Sequence, residues 1–227
     1  MLSVCIGFKH LIHWICFTYV NLIINSMVNN LVDLAEEYCK HFHKSQKRKG
    51  GNQEPYISHP FAVRDIMVKY GCGNPENQAI ALLHDTIEDT VLGEHKSEIE
   101  KRFGMAVYHG VYVLSRNTPG KHAQKLDPLF RMYGVEYIDE HGLLTPKAYK
   151  LRLLFSKESI KRIKIADMIH NTTALPDLSD DGIRRKIKDA ETFYIPIGKA
   201  IAPVMVKELE QNIENYKNSK HYERLIG

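Results

Sequence analysis

The stretch Ala79-Ile80-Ala81-Leu82-Leu83-His84-Asp85-Thr86-Ile87-Glu88-Asp89-Thr90 constrains this chain more than any other. Its composition predicts a helix: Asn74 can cap it, Pro75 suits the first turn, and Glu76 complements the positive end. Ala79, Ile80, Leu82, Leu83 and Ile87 supply the apolar residues of a buried helix, yet four ionisable groups crowd its end. Residues four apart lie one above the other on a helix, so His84 should stack on Glu88 and Asp85 on Asp89. The neighbours His84 and Asp85 can also converge on one point off the helix side. Three acids and an imidazole among apolar residues are costly to bury without a cation. A divalent metal would remove that cost, polarise a phosphoryl oxygen and make hydroxide from water near neutral pH. A His-Asp doublet by itself is more often a solvated pair, so the rest of the chain has to decide.

At 227 residues the chain has the size of one large domain, or of one domain with appendages. Its net charge of +4 favours anionic small molecules and is too weak to argue for nucleic acid. Cys5, Cys16, Cys39 and Cys72 form no C-x-x-C pair and no zinc spacing, so they read as idle thiols of a reducing, cytoplasmic setting. Residues 1–26 stand apart as an apolar extension. The run from Leu11 to Ile24 is interrupted by His13 and Asn21, falls short of the ~20 apolar residues of a spanning helix, and has no small-x-small cleavage site after it. It reads as an extra packing helix or as an extension upstream of a working start at Met27, ahead of a membrane-surface helix. The domain proper is expected over 27–227.

From residue 30 onward the pattern is helical. Leu31, Leu34, Ala35, Tyr38, Cys39 and Phe42 recur at three and four, with Asp33, Glu36, Glu37 and Lys40 opposite. A basic, glycine-bearing loop follows from Lys44 to Gln53. Pro60 starts the next helix near His59, and Gly71 ends it. After the central helix come a segment from Ser97 to Phe103 stopped by Gly104, an apolar helix from Met105 to Leu114, and a poorly readable region over 115–145. Thr145-Pro146 opens a helix to about Phe155, and Ser159 opens another that carries Asp167, His170 and Asn171. The last helix, about Gly182 to Lys217, contains Pro196 and Pro203 and should be kinked or split. No strand alternation persists, so the expected fold is an all-α bundle of about eight to ten helices.

Three separated pieces, His59, His84-Asp85 and Asp167, place metal-type ligands beside apolar residues. Two imidazoles and two carboxylates suit a borderline-hard divalent ion such as Mn²⁺, and the lack of a thiolate argues against structural zinc. Asp167 taken alone reads as a surface acid paired with Lys161 or Lys164. Glu88, one turn beyond His84, is placed as a general base, and acids at a helix C-terminus oppose the dipole and need some other reason to be there. Arg48 and Lys49 can clamp phosphate or stack on a base. Tyr56 and His43 read as packing or supporting groups, Gln46 as a brace for its loop, and His170 as an ordinary helix histidine.

The order His59, His84-Asp85, Asp167 resembles the signature of the HD superfamily of metal-dependent phosphohydrolases. The flanks His43-x-x-Gln46-x-Arg48-Lys49, Pro55-Tyr56-Ile57-x-His59-Pro60, Leu82-Leu83-His84-Asp85-Thr86-x-Glu88-Asp89-Thr90 and Ile163-Lys164-Ile165-Ala166-Asp167-x-x-His170-Asn171 resemble the hydrolase domain of RelA/SpoT-type alarmone enzymes, above all the stand-alone hydrolases. The resemblance is dense over 30–110 and 160–175. It implies an HD-domain helical bundle in which His59, His84, Asp85 and Asp167 bind Mn²⁺. Glu88 and Asp89 would hold and activate the attacking water. Asn171 would lie by the metal or the ribose, and Arg48 and Lys49 would meet base and phosphates. The implied reaction removes the 3′-diphosphate of (p)ppGpp, the stringent-response alarmone, giving GDP or GTP and pyrophosphate. The implied partner is a small nucleotide, not nucleic acid or membrane. Two departures keep other readings open: the run Thr172-Thr173-Ala174-Leu175 lacks the Arg and the Thr or Asp that often follow Asn171, and 115–158 is long for a stand-alone hydrolase. One alternative is an HD phosphohydrolase for another nucleotide or phosphorylated metabolite; the other is a non-catalytic nucleotide sensor.

Overall fold

The structure, a computed structural model, describes residues 31–48, 53–89, 97–116 and 130–226. The apolar extension over 1–26, the candidate start Met27, the candidate ligand Lys49 and Thr90 lie outside the described residues. The elements are helices: α1 (31–42), α2 (Ser58–Lys69), α3 (Pro75–Leu83), α4 (Thr86–Asp89), α5 (Ser97–Leu114), α6 (Pro146–Leu154), α7 (Glu158–Thr173), α8 (Asp180–Asp189), α9 (Ile195–Ile201), α10 (Pro203–Lys217) and α11 (Lys220–Ile226). Among the described residues there is no strand, only isolated antiparallel bridges at Lys47–Pro55 and Ile138–Leu144. The fold is the all-α bundle that the sequence pattern predicts, and no helix of the described residues is long and apolar enough to cross a membrane.

Local chemistry sets most helix ends. The Asn74 side chain accepts the Asn77 N–H at 2.9 Å, with Pro75 in the first turn. Thr145 caps α6 in the same way through the Ala148 N–H. Gly71, at φ 68°, closes α2: the Cys72 N–H reaches the Met67 carbonyl and the Gly71 N–H the Val68 carbonyl, a paired C-terminal cap that a residue with a side chain would strain. Gly104, at φ 81°, breaks α5 where the sequence places the stop. The expected last helix is split. It starts at Asp180 behind the Ser179 cap, passes through a π-helical turn over Ala190–Tyr194 ahead of Pro196, and breaks at Ala202 before Pro203.

One expectation fails in an informative way. The helix through 79–90 is not continuous, because a turn at His84-Asp85 separates α3 from α4. His84 Nδ1 takes the Ala81 carbonyl at 2.8 Å, and Thr86 Oγ1 donates to the Leu83 carbonyl at 2.6 Å. These side chains occupy carbonyls at the end of α3 and let the chain turn. The Asp85–Asp89 stacking survives locally, since the Asp89 N–H still donates to the Asp85 carbonyl.

The core is built around α3, whose Ala79, Ile80, Ala81, Leu82 and Leu83 are all buried. It packs against α2, α5 and α7, and α7 in turn packs against α2 and α10. A close approach between α3 and α5 is at Gly110, where an added Cβ would lie 2.5 Å from Ile80 Cδ1 and 2.9 Å from its Cγ2. Alanine there gains up to ~1 kcal/mol of helix propensity, but overpacking a closed core costs about 1–3 kcal/mol. Gly110→Val should therefore lower stability by about 2 kcal/mol in a denaturant melt, and shortening the neighbour, in Gly110→Val/Ile80→Ala, should recover part of that loss.

Candidate metal centre

Four side chains from two helices and a turn meet at one end of α3. His59 comes from α2, His84 and Asp85 from the turn after α3, and Asp167 from α7. His59, His84 and Asp167 are buried and offer ligand atoms that all lie within 4.8 Å of one another. Asp167 Oδ1 is 3.0 Å from His59 Nε2 and 3.8 Å from His84 Nε2. Asp85 Oδ2 completes the group at 3.0 Å from His84 Nε2 and 3.5 Å from His59 Nε2. Both rings are oriented from behind. His84 Nδ1 holds the Ala81 carbonyl, and His59 Nδ1 meets His170 Nδ1 at 2.8 Å. Each ring thus turns Nε2 toward the carboxylates, as metal-ligating imidazoles do. His84 Nε2 is buried without a hydrogen bond of its own. A nitrogen so placed, facing two carboxylate oxygens, fits a divalent cation with nitrogen and oxygen ligands.

The electrostatics also call for positive charge. Burial disfavours ionised Asp85, yet His84 and His59 outweigh it and hold the carboxyl below its usual range. Burial likewise works against Asp167, but Lys164, His59 and His84 hold it well below that range. Burial lowers the His84 pKa and the two carboxylates raise it further, to about 9. A proton there stands in for part of the charge the cluster lacks.

Residues 35–125 match the family model for the HD domain. Over that stretch the chain is similar to an HD domain. It is 30% identical over 190 residues to the GTP pyrophosphokinase rsh of Brucella melitensis biotype 1, a match that covers 83% of this chain and 23% of that protein. It is 30% identical over 198 residues to a probable GTP pyrophosphokinase of Mycobacterium leprae, covering 87% and 22%. The Streptomyces coelicolor GTP pyrophosphokinase is 26% identical over 200 residues, covering 86% and 21%. The chain spans less than a quarter of the length of these curated relatives. Among solved structures it is similar to one described as a metazoan ortholog of SpoT that hydrolyzes ppGpp. The TM-score is 0.61 at 19% identity, with 82% of this chain and 95% of that chain covered, which is a likeness of fold.

The family match ends before Asp167, so the fourth side chain of the cluster rests on the geometry above. Around that cluster lies a cleft of about 530 Å³, onto which His59, Asp85, Asp89, Asp167, Asn171 and Arg48 open. A larger groove of about 780 Å³, lined by Glu191, Lys207, Glu210 and Glu214, holds none of the candidate residues, so donor chemistry rather than volume locates the site. Asn171 Nδ2 donates to Asp167 Oδ1 at 2.5 Å, and Arg48 Nη2 donates to Asn171 Oδ1 at 3.3 Å. Arg48 reaches this position because the Lys47–Pro55 bridge closes its loop, with Arg48 N–H on the Glu54 carbonyl and Tyr56 N–H on the Gln46 carbonyl. Gln46 braces the loop as expected, linking the His43 ring to the Asp89 backbone carbonyl.

The two expected water-handling acids part company. Asp89 is exposed and lines the cleft; Glu88 is half-buried and does not line it. Glu88 Oε2 accepts the Arg116 backbone N–H at 2.8 Å. Burial raises the Glu88 pKa, and the nearby Asp85 and Asp89 charges add to it against the Arg116 bond.

Three residues have larger parts than the sequence suggests. The Tyr56 hydroxyl, 2.5 Å from Asp85 Oδ2 and 3.0 Å from Asp89 Oδ2, shares its one proton between them. Its own pKa is driven far up by burial and by those two carboxylates, so it stays a donor. His170 is not an ordinary helix histidine, because it holds His59. Burial and the neighbouring His59 push its pKa down to about 4, which keeps it neutral and able to accept the His59 Nδ1 proton. Lys164 does pair with Asp167, at 2.7 Å, but inside the site rather than on the surface. For Lys164 and His170 the signal is spacing: Lys164, Asp167, His170 and Asn171 recur at three and four along α7 and share one face.

Proposed function

We propose that this HD domain is a Mn²⁺-dependent hydrolase that removes the 3′-diphosphate of guanosine 3′,5′-bis(diphosphate) and of the corresponding pentaphosphate. The convergence of His59, His84, Asp85 and Asp167, with both Nε2 atoms turned inward, carries this reading. The fold shared with a ppGpp-hydrolysing protein supports the choice of substrate. When bound by these four side chains, the cation would neutralise charge on the phosphoryl group under attack and activate water.

The chain's own residues would do the rest. Asp89, on the cleft side and steadied by Tyr56, takes the proton from the attacking water. Glu88, whose pKa burial raises above its ordinary value, directly precedes it in the chain as the second acceptor. The water oxygen bonds to the phosphorus attached at O3′, the bond from that phosphorus to O3′ breaks, and the acid so formed returns a proton to the 3′ oxygen. GDP or GTP and pyrophosphate leave. Arg48, tethered through Asn171, is positioned to meet the base or a phosphate.

A second reading keeps the chemistry and changes the nucleotide. The Thr172 and Thr173 hydroxyls, in the run after Asn171, are turned to the Ile169 and His170 carbonyls, and neither residue lines the cleft. A panel of ppGpp, pppGpp and other nucleotides, each incubated with protein and Mn²⁺ and scored for released pyrophosphate or phosphate, separates the two. Turnover should be highest on the guanosine alarmones. Faster turnover of another nucleotide would move the assignment to that substrate, and none on any would leave a nucleotide-binding domain without this activity.

A further inference from the structure

One peptide group, just past the end of α5, links the candidate centre to α6. The carbonyl of Ser115 and the N–H of Arg116 belong to this peptide, and in a planar trans peptide they point opposite ways. The N–H donates to Glu88 Oε2 at 2.8 Å. The carbonyl, on the other side, accepts from Arg152 Nη2. A single peptide plane therefore joins a guanidinium to the Glu88 carboxylate. Its orientation is fixed by its neighbours. The Ser115 N–H donates to the Val111 carbonyl at 3.2 Å, and the Arg116 carbonyl accepts the Leu144 N–H at 3.2 Å. The Arg116 guanidinium donates to the Leu144 carbonyl at 2.9 Å and to Asp139 Oδ2 at 3.4 Å. Arg152 is 4% exposed, an uncommon place for a guanidinium. It lies over the rings of Tyr112 and Tyr149 at 5.2 and 5.7 Å, contacts that return only part of the cost of burying a cation.

From this we infer that Arg152 is a positioning residue for hydrolysis: through the Ser115–Arg116 peptide it holds Glu88 where that carboxylate accepts a proton. The inference rests on the hydrolase reading above and on the part given there to Glu88. A donor on a peptide carbonyl polarises the peptide and strengthens the bond made by its N–H, so loss of the guanidinium weakens the far bond as well. Glu88 then regains rotamers, and an acceptor out of alignment slows the chemical step while metal and substrate still bind. Burial lowers the Arg152 pKa, and Tyr149, Tyr112 and Glu88 oppose that shift, so the two charges feel each other.

A double-mutant cycle separates positioning from plain packing. With ppGpp and Mn²⁺, Arg152→Met should lower kcat about 30-fold, as loss of a supporting residue does, with KM within about twofold. Asp89 leaves Glu88→Gln with residual turnover, and in that background Arg152→Met should cost less than about threefold, because the residue it acts through is already disabled. Arg152→Lys keeps a donor for the carbonyl and should recover most of the loss. A second arm needs no substrate. Hydrogen exchange at the Arg116 amide, read by NMR in the metal-free chain, should speed up at least about tenfold in Arg152→Met while the α7 amides stay as they are. The upward shift in melting temperature with Mn²⁺ should also be unchanged. The same loss of kcat in both backgrounds, a change confined to KM, or an unaltered Arg116 amide would each overturn the role. If circular dichroism shows Arg152→Met unfolded, Arg152→Lys goes through the same cycle, and its smaller loss should likewise vanish without Glu88. No turnover of any nucleotide by the unaltered chain would end the hydrolase reading, and the exchange arm would still decide whether Arg152 holds the peptide.

Discussion

His84→Ala should abolish both pyrophosphate release and the stabilisation that Mn²⁺ confers. The expected fall in kcat/KM is at least about a thousandfold, equivalent to about 4 kcal/mol of transition-state stabilisation. The size follows from how the ring is held. It is 2% exposed, its Nδ1 is fixed on the Ala81 carbonyl, and Nε2 faces both carboxylates. Supporting residues behind metal ligands typically cost about 10–100-fold when removed, and His84 itself is proposed to touch the cation. Alanine also leaves the Asp85 and Asp167 carboxylates with less compensating charge, so the variant has to be shown folded by circular dichroism before its activity is read. Melting with and without Mn²⁺ gives the second readout: the unaltered chain should shift upward with the metal and His84→Ala should not. If more than a tenth of the activity survived with the metal shift intact, His84 would not belong to the centre. The proposed ligand set would then fail with it.

The parts of this molecule that could be read from sequence are those fixed within a few residues of chain. Asn74 before Pro75, Thr145 before Pro146, Gly71 and Gly104 each set a helix end through a bond or a backbone angle that involves only near neighbours. The three pieces of the candidate centre were also legible, because ligand-type side chains among apolar residues stand out wherever they fall. What joins the pieces was not. His59 meets His170 across 111 positions and Tyr56 meets Asp85 across 29, and no periodicity encodes such pairs. The turn at His84-Asp85 is not legible in the sequence, because two side-chain bonds outcompete a pattern that reads as continuous helix. Glu88 makes the same point from the other direction. Its place one turn past His84 suggested a base on the open side, while its carboxylate receives an N–H from Arg116 at the start of the least readable region. Beyond it, Phe130, Leu144, Ala148 and Tyr149 form a small cluster of their own, which is nonlocal and short of pattern.

Lys164→Met should separate two roles of the same ion pair, support of the fold and support of the centre. Lys164 Nζ donates to Asp167 Oδ2 at 2.7 Å, its side chain is 19% exposed, and it lies over the rings of Tyr149 and Tyr194 at 5.6 and 5.9 Å. Burial alone would lower its pKa, but Asp167 and the two tyrosines hold it well above the ordinary range. Methionine keeps the bulk and removes the charge, leaving a buried carboxylate with one partner fewer. Breaking a buried pair in this way costs about 3–5 kcal/mol, which for a chain of this length is a fall in Tm of about 10 °C in the metal-free protein. A cation held by Asp167 would replace the missing charge, so Mn²⁺ should raise the melting temperature of Lys164→Met by more than it raises that of the unaltered chain. Removing both charges, in Lys164→Met/Asp167→Asn, should cost less in the metal-free protein than the single change, because no uncompensated carboxylate remains. If instead Mn²⁺ shifts Lys164→Met and the unaltered chain equally, and the double variant is no more stable than the single one, Lys164 acts through its packing on the tyrosines. Asp167 would then owe its ionisation to the histidines alone.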